Sequence, residues 1–319
     1  TAVAEAALLA LNVTGKRRVL VSGAVHPHTR QTLRTYLEDL AAQYVEIPAC
    51  AETGTTLAGA VERAADGDTA CLIVQSPNFY GLIEDWAGCF AAAKRAAGAG
   101  VEPLAVAVFN PIACGLLKTP GACGADLAAG EGQPLGVPMQ FGGPYLGLFA
   151  ARREHLRRMP GRLVGETADA EGRRAYSLVL QTREQHIRGA KATSNICTNQ
   201  GLLALRATMY MTAMGPAGLR EVAERCWHKA HDLARRIGSL PGYRLRYAAP
   251  FFNEFVVACP RPAADIVAAA KEHGVLAGVA LAGDRAGRAG AEDELLIAVT
   301  EKRTRADMDA LIEALAEHE

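Results

Sequence analysis

The feature that most constrains this chain is an alternation. Short apolar runs rich in Val and Ile are each followed by a stretch of helical spacing. RRVLVSG (17–23) precedes HTRQTLRTYLEDLA (28–41), YVEIP (44–48) precedes TTLAGAVERAA (55–65), and TACLIVQ (69–75) precedes EDWAGCFAAAKRAA (84–97). PLAVAVFN (103–110) is a further apolar run. Strands separated by helices of this length cannot close hairpins on one another. They pair side by side and parallel, with helices over both faces, which is why the runs need not alternate polar with apolar. The expectation is an α/β protein with a mainly parallel sheet, to which ADLAA (125–129) and YLGLFAAR (145–152) add strands.

From Thr198 the pattern changes. Residues 198–214 are apolar on a helical period, Gly215-Pro216 interrupts them, and 217–238 are helical again. FFNEFVVAC, PAADIVAAAKEHG, ELLIAVT and RADMDALIEALAEH then alternate strand with helix. Because proline after glycine breaks or bends a helix, we place a boundary there: a large domain over 1–215 and a small α+β domain over 216–319.

The charge balance narrows the function. Lys plus Arg and Asp plus Glu number 34 each, so the formal net charge is zero and no basic run points to nucleic acid. No stretch approaches the roughly 20 apolar residues that cross a bilayer. The opening TAVAEAALLALNV has no basic region before its apolar part, so it is no secretory signal, and a start on Thr1 within a helical pattern reads as truncated. The eight cysteines form no C-x-x-C pair and have no histidine at zinc spacing; several sit in apolar runs. They read as reduced core thiols of a cytoplasmic protein, with no metal site.

The nucleotide motifs G-x-G-x-x-G and G-x-x-x-x-G-K-[ST] are absent, and so is G-x-S-x-G. His26, Pro27 and His28 follow the first strand and read as a turn. Two other segments stand out. Residues 110–147 carry nine glycines and repeated prolines with almost no charge, which suits a long irregular connection filling a crevice. Residues 181–200 set Arg183, His186, Arg188 and Lys191 before a small polar loop, Ala192-Thr193-Ser194-Asn195, ahead of the long apolar helix. Such a loop serves either as a helix cap or, with free N–H groups, hydroxyls and flanking cations, as an anion site.

Seven stretches resemble one family: VSGAVHPHTRQTLRTY (21–36), VQSPNFYGLIED (74–85), GADLAAGEGQPLGVPMQFGGPYLG (124–147), MPGRLVGET (159–167), QTREQHIR (181–188), KATSNICTNQ (191–200) and LLIAVTEKRTR (295–305). They are similar to subunit 1 of the decarboxylating glycine dehydrogenase, the P-protein of the glycine cleavage system, along the whole chain. The resemblance implies a fold-type-I pyridoxal-phosphate architecture. It implies an enzyme that decarboxylates glycine and passes the aminomethyl group to the lipoyl arm of H-protein. It also implies a heterodimer in which subunit 2 carries the Schiff-base lysine and binds the pyridoxal phosphate.

By that resemblance, Gln133 or Pro134 stands where a cofactor-binding relative has its lysine, and neither has the primary amine that condenses with an aldehyde. Asn110 stands where an acid would hold the pyridinium nitrogen, a departure even within subunit 1. No catalytic residue is therefore assigned to this chain. Thr193, Ser194 and Asn195 resemble the loop that one subunit lends to the other's cofactor phosphate, and the turn containing Gly142 and Gly143 is the second candidate. Among the lysines, Lys118 and Lys191 lie near these loops. The other readings are a self-sufficient pyridoxal-phosphate enzyme akin to class-V aminotransferases, and a non-catalytic scaffold.

Overall fold

The computed structural model describes residues 1–194, 196, 200–282 and 290–317. The first part runs α1 (Ala2–Thr14), β1 (Arg18–Ser22), α2 (Pro27–Leu37), β2 (Gln43–Ile47), α3 (Ala58–Ala64), β3 (Thr69–Ser76), α4 (Trp86–Ala97), β4 (Leu104–Phe109), β5 (Leu127–Glu131) and β6 (Gly147–Ala151). Six strands form one sheet in the order β2-β1-β3-β4-β5-β6. All neighbours are parallel except β6, which returns antiparallel along β5 from Leu127↔Ala151 to Glu131↔Gly147.

Side-chain alternation explains why the strands are apolar throughout. Val19, Val21, Cys71 and Ile73 point to one face and pack against α1 and α2, with Ala6, Ala10, Leu33 and Leu37. Leu20, Leu72 and Val74 point to the other and meet Val61 of α3 and Trp86 and Phe90 of α4. Each such fully buried side chain contributes about 1.5–3 kcal/mol. The helices start at local signals: Pro27 opens α2 while His26 accepts from the His28 N–H, and the Asp85 side chain accepts from the Gly88 N–H at the start of α4.

The chain then forms β7 (Leu163–Ala168), β8 (Arg174–Val179), α5 (Gln185–Arg188) and α6 (Gly201–Ile237). Next come β9 (Arg244–Leu245), β10 (Glu254–Ala258), α7 (Ala263–Glu272), β11 (Val279–Ala280), β12 (Glu294–Ala298) and α8 (Arg305–Ala316). Helix α6 breaks direction at Gly215, whose φ of 61° and ψ of −179° are open to glycine and closed to other residues, and Pro216 resumes the helix. A second sheet, β11-β12-β10-β9, is wholly antiparallel. Phe255, Val257, Leu295 and Ile297 face Leu233 and Ile237 of α6, Ile266 of α7 and Leu311 and Leu315 of α8. A capping box between Thr304 and Asp307 starts α8.

The two sheets meet at Gly81. The Gly81 φ is 83°, and a Cβ there would lie 1.9 Å from the Glu254 carbonyl oxygen, so only glycine admits the contact. Around it the Phe252 N–H donates to the Gly81 carbonyl at 3.1 Å and the Ile83 N–H to the Pro250 carbonyl at 2.8 Å.

The β7–β8 pair stands apart as a two-stranded ribbon, paired from Leu163↔Val179 to Ala168↔Arg174 and mostly exposed. The strand pattern drawn from the sequence did not include it. Its turn is nonetheless written in the chain. The Asp169 side chain accepts from the Glu171 and Arg173 N–H groups, and Gly172 takes a φ of 79°. Those backbone bonds, the one from Arg173 foremost, hold the Asp169 carboxyl below its ordinary range. An acid and a glycine three apart between two β-rich runs is a hairpin signal.

Candidate functional site

Thr193 and Ser194 line a cavity of about 230 Å³ together with Met159, Pro160, Gly161, Arg162, Arg183, Glu184, Gln185, His186 and Ile196. Asn195 lies outside the described residues. The cavity exists because the base of the ribbon folds over the segment that follows it. Arg183 is 7% exposed, and its guanidinium donates to the carbonyls of Met159, Gly161 (2.9 Å) and Leu180 (3.1 Å). The Arg183 carbonyl in turn accepts the Thr193 N–H at 2.9 Å. The sequence suggests Arg183 as one of several flanking cations; it is instead a buried clamp.

Glu184 lies between Arg162 (3.3 Å) and His186 (3.8 Å) at the cavity wall. Thr193 is exposed, whereas Ser194 is half-buried, its hydroxyl accepting from the Ile196 N–H at 3.0 Å. Burial raises the pKa of Glu5 on α1. Neither residue caps α6, which begins at Gly201 behind Gln200 with no side-chain cap. The helix end therefore does not stand at residues 193–194. Around their two hydroxyls the cavity gathers two arginines, a histidine and the Glu184 carboxylate.

Gly142 and Gly143 line neither this cavity nor the crevice described next. They occupy the connection between β5 and β6, with φ of 111° and 113°, and beside them Phe141 is fully exposed. The same connection is tied to α6, because Gly136 accepts from Arg206 at 2.7 Å and packs against Tyr210.

At the carboxyl ends of β3 and β4 lies a crevice of about 300 Å³, lined by Ser76, Ile83, Glu84, Asp85, Trp86, Ala87, Asn110, Ala113, Cys114, Leu117, Lys118 and Cys123. In open α/β sheets this edge is where ligands collect. Glu84 is buried, accepts from the Asn78 amide and the Thr56 N–H at 2.8 Å each, and is pushed up to about 7 by burial. Asn110 turns its side-chain oxygen to the Ile112 N–H at 2.9 Å. Beyond β5, the Gln133 side chain donates to the Pro138 carbonyl at 3.4 Å. The turn after β5 thus carries Gln133, and the Asn110 side-chain oxygen is engaged with the backbone. Lys118 is exposed at the crevice and Lys191 is exposed in the turn before Ala192. His26, the helix cap, is held down to about 4 by burial, with His28 and Arg30 adding to it.

Among the described residues no group of His, Cys, Asp and Glu could hold a metal, and no helix is long and apolar enough to cross a membrane.

Comparisons with known proteins place this geometry. A family model described as the glycine cleavage system P-protein matches residues 1–315. The "Probable glycine dehydrogenase (decarboxylating) subunit 1" of Thermomicrobium roseum is 52% identical over 318 residues, which cover 99% of this chain and 69% of that protein. The protein of the same name from Chlorobium limicola is 48% identical over 316 residues, again covering 99% and 69%. A crystal structure of glycine decarboxylase (P-protein) of the glycine cleavage system, in inhibitor-bound form, superposes with a TM-score of 0.90 at 44% identity, over 99% of this chain and 69% of that one. A NifS-like protein superposes at 0.65 with 14% identity, over 98% and 80%, a likeness of fold alone. The chain has the fold of the fold-type-I pyridoxal-phosphate enzymes, and it belongs to the glycine cleavage system P-protein family as a relative of the subunit-1 chains of decarboxylating glycine dehydrogenase.

Proposed function

We propose that this chain is the subunit of the glycine-cleaving P-protein that completes its partner's active site without holding the cofactor covalently. The observation that carries this reading is where the apolar surface lies. Most exposed large apolar side chains among the described residues fall between Met139 and Met211, including Phe141, Val164, Tyr176, Leu202 and Met209. Exposed apolar side chains concentrated in this way support a protein interface, and the Thr193–Ser194 loop lies within the same span of the sequence. Gln133 after β5 supports the same division of labour.

Pyridoxal phosphate, bound by the partner subunit, supplies the electron sink for the loss of carbon dioxide from glycine. This chain's share is positioning and exclusion. Thr193 and Ser194 would hold the cofactor phosphate through their hydroxyls, Arg183 and Arg162 would keep the local potential positive, and the apolar surface would keep water from the joint site. Gly142 and Gly143 let the β5–β6 connection approach closely because no Cβ intervenes. The partner is subunit 2, the acceptor of the aminomethyl group is the lipoyl arm of H-protein, and the complex works in the cytoplasm.

Mixing this chain with subunit 2 and pyridoxal phosphate, then reducing with borohydride, should leave the phosphopyridoxyl label on subunit 2 alone. A label on Lys118 or Lys191 would turn the reading into that of a self-sufficient enzyme. Full activity of subunit 2 by itself would make this chain a scaffold. Replacing Thr193 and Ser194 by Ala should weaken cofactor retention about tenfold, the loss of one or two hydrogen bonds to a charged group.

A further inference from the structure

Arg183 is more than one cation among several. Buried arginines ordinarily meet a carboxylate, yet among the described residues this one meets only backbone carbonyls. Those carbonyls belong to two separated stretches. Met159 and Gly161 precede β7, and Leu180 follows β8, so the guanidinium closes the base of the ribbon. An isolated two-stranded ribbon is marginal in water and needs such support. From the same residue the backbone carbonyl holds the Thr193 N–H at 2.9 Å. Ribbon and loop are thus joined through one residue.

We propose that Arg183 is a positioning residue that links the seating of the β7–β8 ribbon on the partner chain to the placement of Thr193. This rests on the proposed function, in which the loop meets the partner's cofactor phosphate. The outward face of the ribbon carries Val164 and Tyr176, exposed at 64% and 61%. When these dock, the ribbon base becomes rigid, and the loop hung from Arg183 takes one position.

Arg183→Lys keeps the charge but replaces a fork with a compact ammonium, which cannot span carbonyls of separate segments. In the full chain, hydrogen–deuterium exchange at the Thr193 amide should accelerate about tenfold or more while the melting temperature stays within a few degrees. In the complex with subunit 2, the dissociation constant for pyridoxal phosphate should rise about tenfold with the assembly unchanged, a loss on the scale of one charge-assisted hydrogen bond. Arg183→Gln, which removes the charge and reaches fewer of the three carbonyls, carries the test if Arg183→Lys does not assemble. Its complex should bind pyridoxal phosphate more weakly by a similar factor. If the Thr193 and Ser194 alanine variants lose cofactor but both positioning variants stay within twofold of the parent, the inference is overturned and the proposed function stands. If the alanine variants also stay within twofold, the proposed role of the loop falls and takes this inference with it.

Discussion

Glu84 shows how one buried side chain sets a pH dependence. Its carboxyl is pushed up from an ordinary 4.5 to about 7, so the folded protein holds the proton more tightly than the unfolded chain does. Its contribution to stability is therefore complete below about pH 4.5 and is lost as the pH climbs through 7, at about 1.4 kcal/mol for each tenfold difference in proton affinity between the two states. Glu84→Gln should flatten the fall in unfolding free energy between about pH 5 and pH 8, measured by urea titration at each pH. Glu254, which burial also raises to about 7, should leave a residual slope. An unchanged slope in the variant would remove Glu84 from the account. At this scale the sequence was only partly legible. Thr193 and Ser194 stood out as small polar residues after a cationic run, and they do line a cavity. Glu84 and Glu5 did not stand out, because a glutamate near a helix start or within one looks like any solvated acid until neighbours distant in sequence bury it. Arg183 was visible but miscast for the same reason: only the folded chain brings Met159 and Gly161 to it.

Elements were far more legible than sites. The five parallel strands were written as apolar runs, the first four with helical stretches between them, and Gly215-Pro216 marked the break in α6. The ribbon was missed because its runs are short and half polar, as befits strands with no sheet behind them. The break carries its own test. Gly215 stands at φ 61° and ψ −179°, and a Cβ there would meet nothing within 4 Å, so substitution strains the backbone without a clash. Gly215→Ala should cost about 1–3 kcal/mol, read as a lower urea midpoint at unchanged slope. The cost has a purpose in the fold. Before the break α6 exposes Leu202, Leu205 and Met209, and after it Leu233 and Ile237 enter the core of the second sheet. One helix thus serves an outer surface and an inner one.

Across the whole molecule, the apolar span from Met139 to Met211 is where the proposed partner would seat. No periodicity argument could locate it, since exposure of a Leu or Tyr depends on which neighbours the fold withholds. Val164→Asp or Tyr176→Asp should weaken assembly with the partner subunit by about tenfold or more while leaving the melting temperature of the isolated chain unchanged, as judged by sedimentation and thermal denaturation. The close approach at Gly81 bears on motion. Enzymes that bind substrate between two lobes commonly rock one lobe against the other, and a hinge needs backbone with room to turn. Here the Glu254 carbonyl sits where a side chain at position 81 would be, and backbone bonds suture the strand ends on either side. A rocking lobe would have to break that seam, so the two sheets travel as one body. Any freedom to open and close comes instead from loops such as the one that Arg183 holds.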